Sequence, residues 1–347
     1  MKKDIALDHI RAFGMLCIFF CHIFLVQDNY VPAFWLNTGV QIFIILSATL
    51  SAKVDFHDAK SVLDYLIRRF LRIFIPLWIY LCAIILILSL IGIEISPITA
   101  ILFFTGCAGY AKNNILGLGH MWYITVQLIC YLLVPILYYL HRLILSKGKI
   151  TLCLISLFSY VTFVLLFYLT GHAEYGVSIF LFCFSYMLAR RGDGEKLSPT
   201  RLFLFSAPPA LLLCIVRIVL DLNGIESSTL YMLYDSVFIT TVRAFLGFAL
   251  YFGLYIIFSR EALMKFPVSK GISKLSYEIF ITHQFIILSV AKYIPYCSGT
   301  TVISYLLLAL CSALLTVLNS LILHWATIGV RALSNAGINA IRKRGLE

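Results

Sequence analysis

The chain reads as an all-α, polytopic integral-membrane bundle of about ten transmembrane helices, and three observations lead there. The first is composition: 61% of the 347 residues are hydrophobic and only 12% are charged, with a mean hydropathy of +0.97. A soluble domain of this size has no interior large enough for so much apolar surface. The second is segmentation, because apolar runs long enough to cross a hydrocarbon core recur from end to end. The third is the placement of charge. With the N-terminus inside, 23 of the 27 Lys+Arg fall on alternate, inner segments, which is the sorting that orients membrane helices. The outer loops keep Lys112 and Lys292, while Arg217 and Arg243 lie within spans.

Ten spans follow: 7–26, 33–52, 72–93, 121–141, 150–170, 175–190, 202–221, 235–258, 275–294 and 301–325. Both termini are then cytoplasmic, and residues 1–347 form one integral-membrane domain without an appended soluble domain. One span more or fewer would scramble the charge sorting. The tryptophans agree, with Trp35 and Trp122 near outer ends and Trp78 and Trp325 near inner ones. The first run follows a basic start but precedes no small-residue cleavage site, so it is a retained helix. Residues 96–106, opening Ser96-Pro97, are too short to span and suit an interfacial or re-entrant piece.

Composition also excludes functions. The net charge of +11 is an orientation signal spread over short loops, and nothing in it suggests nucleic acid. The ten cysteines lie mostly inside apolar runs, with no CxxC pair and no metal-ligand spacing.

Four stretches carry polar chemistry inside this apolar frame. In the first span, Arg11 and His22 are eleven residues apart. On an α-helix that is three turns plus roughly 20°, so both face one side, ~16 Å apart. An ionisable group within a span is a functional candidate by default, and Asp8, three residues before Arg11, can hold its guanidinium. At the inner edge of the third span stand Arg68, Arg69 and Arg72, closed by Pro76. They are either a topology anchor or a guanidinium cluster that grips phosphate. The fourth span opens Gly119-His120-Met121-Trp122 and carries Gln127, at the outer depth expected for His22. The ninth carries Tyr277, Glu278 and His283. Glu278 is costly in lipid unless paired, and with Arg217 and Arg243 also intramembrane, an Arg–Glu pair is the plain expectation.

In succession these stretches resemble the membrane-bound acyltransferase-3 family. Arg11 through His22 resembles its opening Arg-x10-His signature, and Gly39 through Ser47 resembles its second-span pattern. Arg68 to Pro76 resembles its basic motif, His120-Met121-Trp122 through Gln127 its fourth-span motif, and Leu275 through His283 its late span. The chain departs from the pattern at Ser47-Ala48-Thr49, where the family has Ser-Gly-Phe, at Gln127, where a carboxylate is common, and in a Pro76 one residue further from Arg72.

The resemblance implies an O-acyltransferase of a bacterial plasma membrane. It would move an acyl group, most simply acetyl, from cytoplasmic acyl-CoA to a hydroxyl of a cell-surface or lipid-linked carbohydrate. His22 would be catalytic, as base or acyl relay, with Arg11 and the Arg68, Arg69 and Arg72 cluster on the donor side. Trp122, Gln127, Tyr277 and His283 would line the acceptor pocket. Acyl-CoA enters as a substrate, and no bound cofactor or metal is implied. The partners are that donor, a carbohydrate or glycolipid acceptor, and membrane lipid. The rival class is a transporter or flippase of a glycan or lipid-linked saccharide, with Arg217, Arg243, Glu278 and the histidines lining a path. No inverted repeat or Gly/Pro-broken pair of helices favours it.

Overall fold

Each apolar run becomes a helix because a backbone in lipid must satisfy its own N–H and C=O groups. The computed structural model describes residues 4–145, 149–190, 198–223, 233–260, 267–297 and 301–344. Lys2, Lys3, Lys147, Arg191, Lys196 and Lys265, used above for charge sorting, lie outside the described residues.

Helix α1 spans Ile5–Val26 and stops where Asp28 takes a left-handed conformation (φ 54°), a helix-ending geometry that Asp tolerates better than most residues. The second expected span is two pieces, α2 (Tyr30–Leu36) and α3 (Gly39–Ser51). Helix α4 (Ala59–Leu90) extends the third span by more than three turns on its N-terminal side, so the arginine cluster rides on the spanning helix itself. Asp58 starts it: its Oδ1 accepts from the Ser61 amide at 2.7 Å, and Ser61 Oγ accepts from the Asp58 amide at 3.2 Å. This reciprocal cap is sited outside the span. The 96–106 stretch forms the short α5 (Pro97–Phe104), capped by Ser96.

Helices α6 (Trp122–Leu145), α7 (Lys149–Tyr168), α8 (Ala173–Ala189), α9 (Pro199–Asn223), α10 (Ile239–Phe258), α11 (Pro267–Ser289) and α12 (Val302–Arg344) follow. Among the described residues, eight helical stretches are long and apolar enough to cross a membrane. The two remaining expected spans are helices too, for different reasons outside that set. Helix α8 is apolar but has 17 residues, and α11 is diluted by its polar residues.

The helices group into two compact units. The first comprises residues 1–21, 30–63 and 126–273, and the second residues 22–29, 64–125 and 274–347. In the first unit small residues set the spacing. A Cβ on Gly39 would stand 2.5 Å from the Gly14 carbonyl oxygen, and one on Gly247 2.6 Å from Gln41 Cβ. Glycine therefore lets α3 lie against α1 and α10, as membrane helices do when packing replaces hydrophobic drive. Arg190, at the end of α8, donates to the Ala52 carbonyl at 2.7 Å and pairs with Asp55 at 2.5 Å. It braces the chain that leaves α3.

In the second unit α11 and α12 are joined by a polar ladder one turn long. Thr282 Oγ1 meets Ser320 Oγ at 3.0 Å, and Glu278 Oε1 meets His324 Nδ1 at 2.9 Å. Within this unit Glu278 is met by His324; within the first unit Arg217 pairs with Asp221 one turn away on its own helix, at 2.9 Å. Arg217 and Arg243 also place their guanidinium carbons 3.3 and 4.4 Å from the Phe34 ring centre, within cation–π range. Helix identity was readable from hydropathy; these pairings depend on how helices are rotated.

Candidate functional site

The loop before α6 positions the first component of the site. Thr125 Oγ1 donates to the Gly106 carbonyl at 2.8 Å and accepts from the Gly109 amide at 3.1 Å, pinning the loop to the helix it enters. Gly117 adopts φ +69°, and a Cβ there would lie 2.7 Å from Phe285 Cα. No other residue fits both that conformation and that approach. The glycine therefore lets the loop press against α11, and three residues later His120 arrives beside Gln284.

Three imidazoles then gather within the second unit. His283, fully buried, lies with ring centres 5.0 Å from His22 and 4.8 Å from His120, and His22 and His120 are 6.2 Å apart. Gln284 joins two of them. Its Oε1 is 2.9 Å from the His120 backbone nitrogen and 2.5 Å from His120 Nδ1, and its Nε2 is 3.3 Å from His22 Nδ1. His283 Nδ1 faces the Phe280 and Ile279 carbonyls at 2.8 and 3.0 Å, which makes it an N–H donor. The Nε2 atoms of His120 and His283 are buried and have no hydrogen-bond partner among the described residues. Buried acceptors left bare are uncommon and ask for an explanation; a substrate proton is one. Among the described residues no group of His, Cys, Asp or Glu is arranged to hold a metal ion.

Beside this cluster is a cavity of about 370 Å³ with a mixed lining, in which Glu94, Ser96, Thr99, Asn113 and Asn114 stand among Leu88, Ile93, Ile95 and Leu116. Asn114 Nδ2 and Gln284 Oε1 lie 3.7 and 3.8 Å from the point where a Cβ on Gly119 would stand. The cavity wall and the histidine cluster are thus neighbours within one unit.

The other expected site residues are distributed as follows. Arg11, in the first unit, donates from Nη1 to Ser273 Oγ at 3.2 Å and lies 3.6 Å from Asp8 Oδ1, while Ser273 Oγ donates to Asp8 at 2.8 Å. The carboxylate expected to hold it does so. On α4, Arg69 is half-buried with its guanidinium 5.3 Å from the Tyr65 ring centre, and Arg68 and Arg72 are exposed. Trp122 is half-buried and opens α6 directly after the His120 turn. Gln127, buried in the first unit, donates to Ser47 Oγ at 2.9 Å, and Ser47 reaches Tyr131 Oη at 3.2 Å. Tyr277 Oη donates to the Ile73 carbonyl at 2.8 Å. The tyrosine thereby ties α11 to α4 within the second unit. His120 and Gln284 were not singled out from sequence. The available signal was that each sits beside a residue that was, in Gly119-His120-Met121-Trp122 and Thr282-His283-Gln284.

Residues 4–325 match the acyltransferase-3 model, described as an acyltransferase domain; the chain belongs to that family and is a membrane acyltransferase. No curated protein and no solved structure matches it.

Proposed function

We propose that this acyltransferase carries an acyl group, most simply acetyl, from cytoplasmic acyl-CoA to a hydroxyl of a cell-surface or lipid-linked carbohydrate, with His22 at the reacting centre. The observation that carries this reading is the convergence of His120, His283 and Gln284 on His22, the residue for which the family resemblance implies catalysis. The acceptor side is the cavity at Asn113 and Asn114, where amides and hydroxyls suit a polyol and the outer-loop reading gives access from outside. The donor side is the Arg68, Arg69 and Arg72 cluster, whose guanidinium forks match the phosphates of coenzyme A. The family resemblance puts Arg11, which Asp8 and Ser273 hold, on the donor side as well. The slender pantetheine arm would enter the bundle while the nucleotide stays at the inner face.

In the reaction the acceptor oxygen bonds to the acyl carbon, the carbon–sulfur bond breaks, and the hydroxyl proton ends on the departing thiolate. The test is purified protein in lipid vesicles, given radiolabelled acetyl-CoA and extracted glycolipid acceptors. His22→Ala lowers transfer on the order of 10²-fold or more, with insertion unchanged. Near-normal transfer by His22→Ala defeats the assignment of His22. A wild type that moves glycan across the bilayer without acyl incorporation means that the chain works as a transporter.

A further inference from the structure

We propose that Gln284 is a positioning residue which holds neutral His22 as the Nε2–H tautomer, so that His22 meets the acyl group as a hydrogen-bond donor. The inference deepens the acyl-transfer reading and rests on it for its chemical meaning, although the tautomer itself can be observed without any reaction.

A chain of donors and acceptors forces this assignment from one atom that has no choice. The His120 backbone N–H can only donate, and it lies 2.9 Å from one end of the Gln284 amide. That end is therefore the carbonyl oxygen, and the amide cannot be turned over. The same oxygen is 2.5 Å from His120 Nδ1, so His120 carries its proton on Nδ1 and leaves Nε2 bare. The other end of the amide is then the NH₂ group, 3.3 Å from His22 Nδ1. A nitrogen facing an amide donor must accept, so the single proton of neutral His22 is on Nε2.

Two chemical roles are closed to His22 in that state. A base needs its lone pair toward the hydroxyl, and an acyl-histidine relay needs it toward the thioester carbon; here the lone pair is directed at Gln284. What remains is Nε2–H, a neutral electrophile that polarises a carbonyl and stabilises the oxyanion formed as oxygen adds. The lone pairs left for the hydroxyl proton belong to the bare Nε2 atoms of His283 and His120, from which that proton passes to the thiolate sulfur. Division of labour between imidazoles follows from one glutamine that bridges two of them.

The experiment uses the full chain in lipid nanodiscs with ¹⁵N-labelled histidine, the His22 signals being identified by their loss in His22→Gln. We expect His22 protonated at Nε2 and bare at Nδ1 in the wild type. In Gln284→Glu the carboxylate accepts from both rings, and the His22 proton moves to Nδ1. Gln284→Met, of similar volume but without a donor, leaves His22 a mixture of tautomers. It lowers kcat about tenfold or more while the KM for acyl-CoA holds, against ~10⁴-fold for a triad base held in the wrong tautomer. His22→Gln, which keeps an N–H donor, retains more transfer than His22→Ala. A wild-type His22 protonated at Nδ1 overturns the proposal, as does a Gln284→Met variant with normal kcat. A wild type that transfers no acyl group leaves the tautomer result standing and removes only the acyl-transfer reading.

Discussion

Helix α1 carries a polar group near each end, and the two are built in opposite ways. Around Arg11 a countercharge takes part: Ser273 Oγ accepts from the guanidinium and donates to Asp8, which also faces Arg11. A charge in an apolar bundle persists when countercharge and hydrogen bonds meet it. Around His22, among the described residues, no carboxylate takes part, the protons are directed inward by Gln284 and backbone carbonyls, and two Nε2 lone pairs are left bare. The first arrangement resists change and braces the helix. The second leaves capacity for a proton, which a reaction centre needs. Polar residues at similar sequence prominence thus separate by whether a countercharge meets them.

The strongest way to break this contrast is at His283. His283→Phe keeps an aromatic of comparable size and removes the bare lone pair. Acyl transfer should fall on the order of 10²-fold in kcat, as for loss of a general base, while thermal stability in detergent changes little. A normal turnover number would place His283 with the packing residues. The converse change is Ser273→Ala, which removes the hydroxyl between Arg11 and Asp8. It should cost about 1.5–3 kcal/mol of stability, the range for hydrogen bonds to charged groups, read as a lower unfolding midpoint, and, because Arg11 belongs to the proposed donor side, the KM for acyl-CoA should rise with it. If stability is unaffected, the Arg11 set is no brace.

The exposed arginines of α4 sharpen the comparison from a third side, because Arg72 lacks the enclosure that Arg11 has. Replacing Arg69 and Arg72 together by alanine should raise the KM for acyl-CoA about tenfold at similar kcat, the mark of lost ground-state binding. Lysines at both positions should restore part of it, since they keep charge but lose the planar fork. Unchanged donor dependence in correctly inserted protein would reduce the cluster to a topology anchor.

The smallest effect is expected at Asp58. The Ser61 amide and hydroxyl hold its carboxyl below the ordinary value of 3.8, and His57 adds to this. Since its folded pKa is depressed, its contribution to the first turn of α4 is present above pH 3.8 and is lost as pH falls through the folded value. Hydrogen exchange in residues 59–62 should therefore quicken only under more acid conditions, with the rest of α4 unaffected. Quickening at neutral pH would contradict the cap.

How much of the site was legible depended on sequence distance. The Asp8–Arg11 contact was readable because helix geometry puts residues three apart side by side. Ser273, which completes it, comes from a helix more than 260 residues away and had no local signature. Gln127 was placed by depth, which names no partner; within the first unit it bonds to Ser47. Tyr277 was read as a pocket residue, and its hydroxyl is engaged by the Ile73 carbonyl. Glu278 was expected to meet an arginine; His324, on the neighbouring helix, meets it instead.

By itself the sequence determined that this is a polytopic helical membrane protein, which helices it has, and that Arg11, His22 and His283 stand out within them. Those properties follow from hydropathy, charge placement and the helical repeat, all of them local or additive along the chain. Only the tertiary structure decided that His120 and Gln284 complete the histidine cluster, and on which nitrogen each imidazole holds its proton. A tautomer is set by the atom facing each ring nitrogen, and the atom facing His22 comes from Gln284, 262 residues further along. Helix rotation brings it there, as the approach permitted by Gly117 brings His120, and neither is encoded in any single stretch.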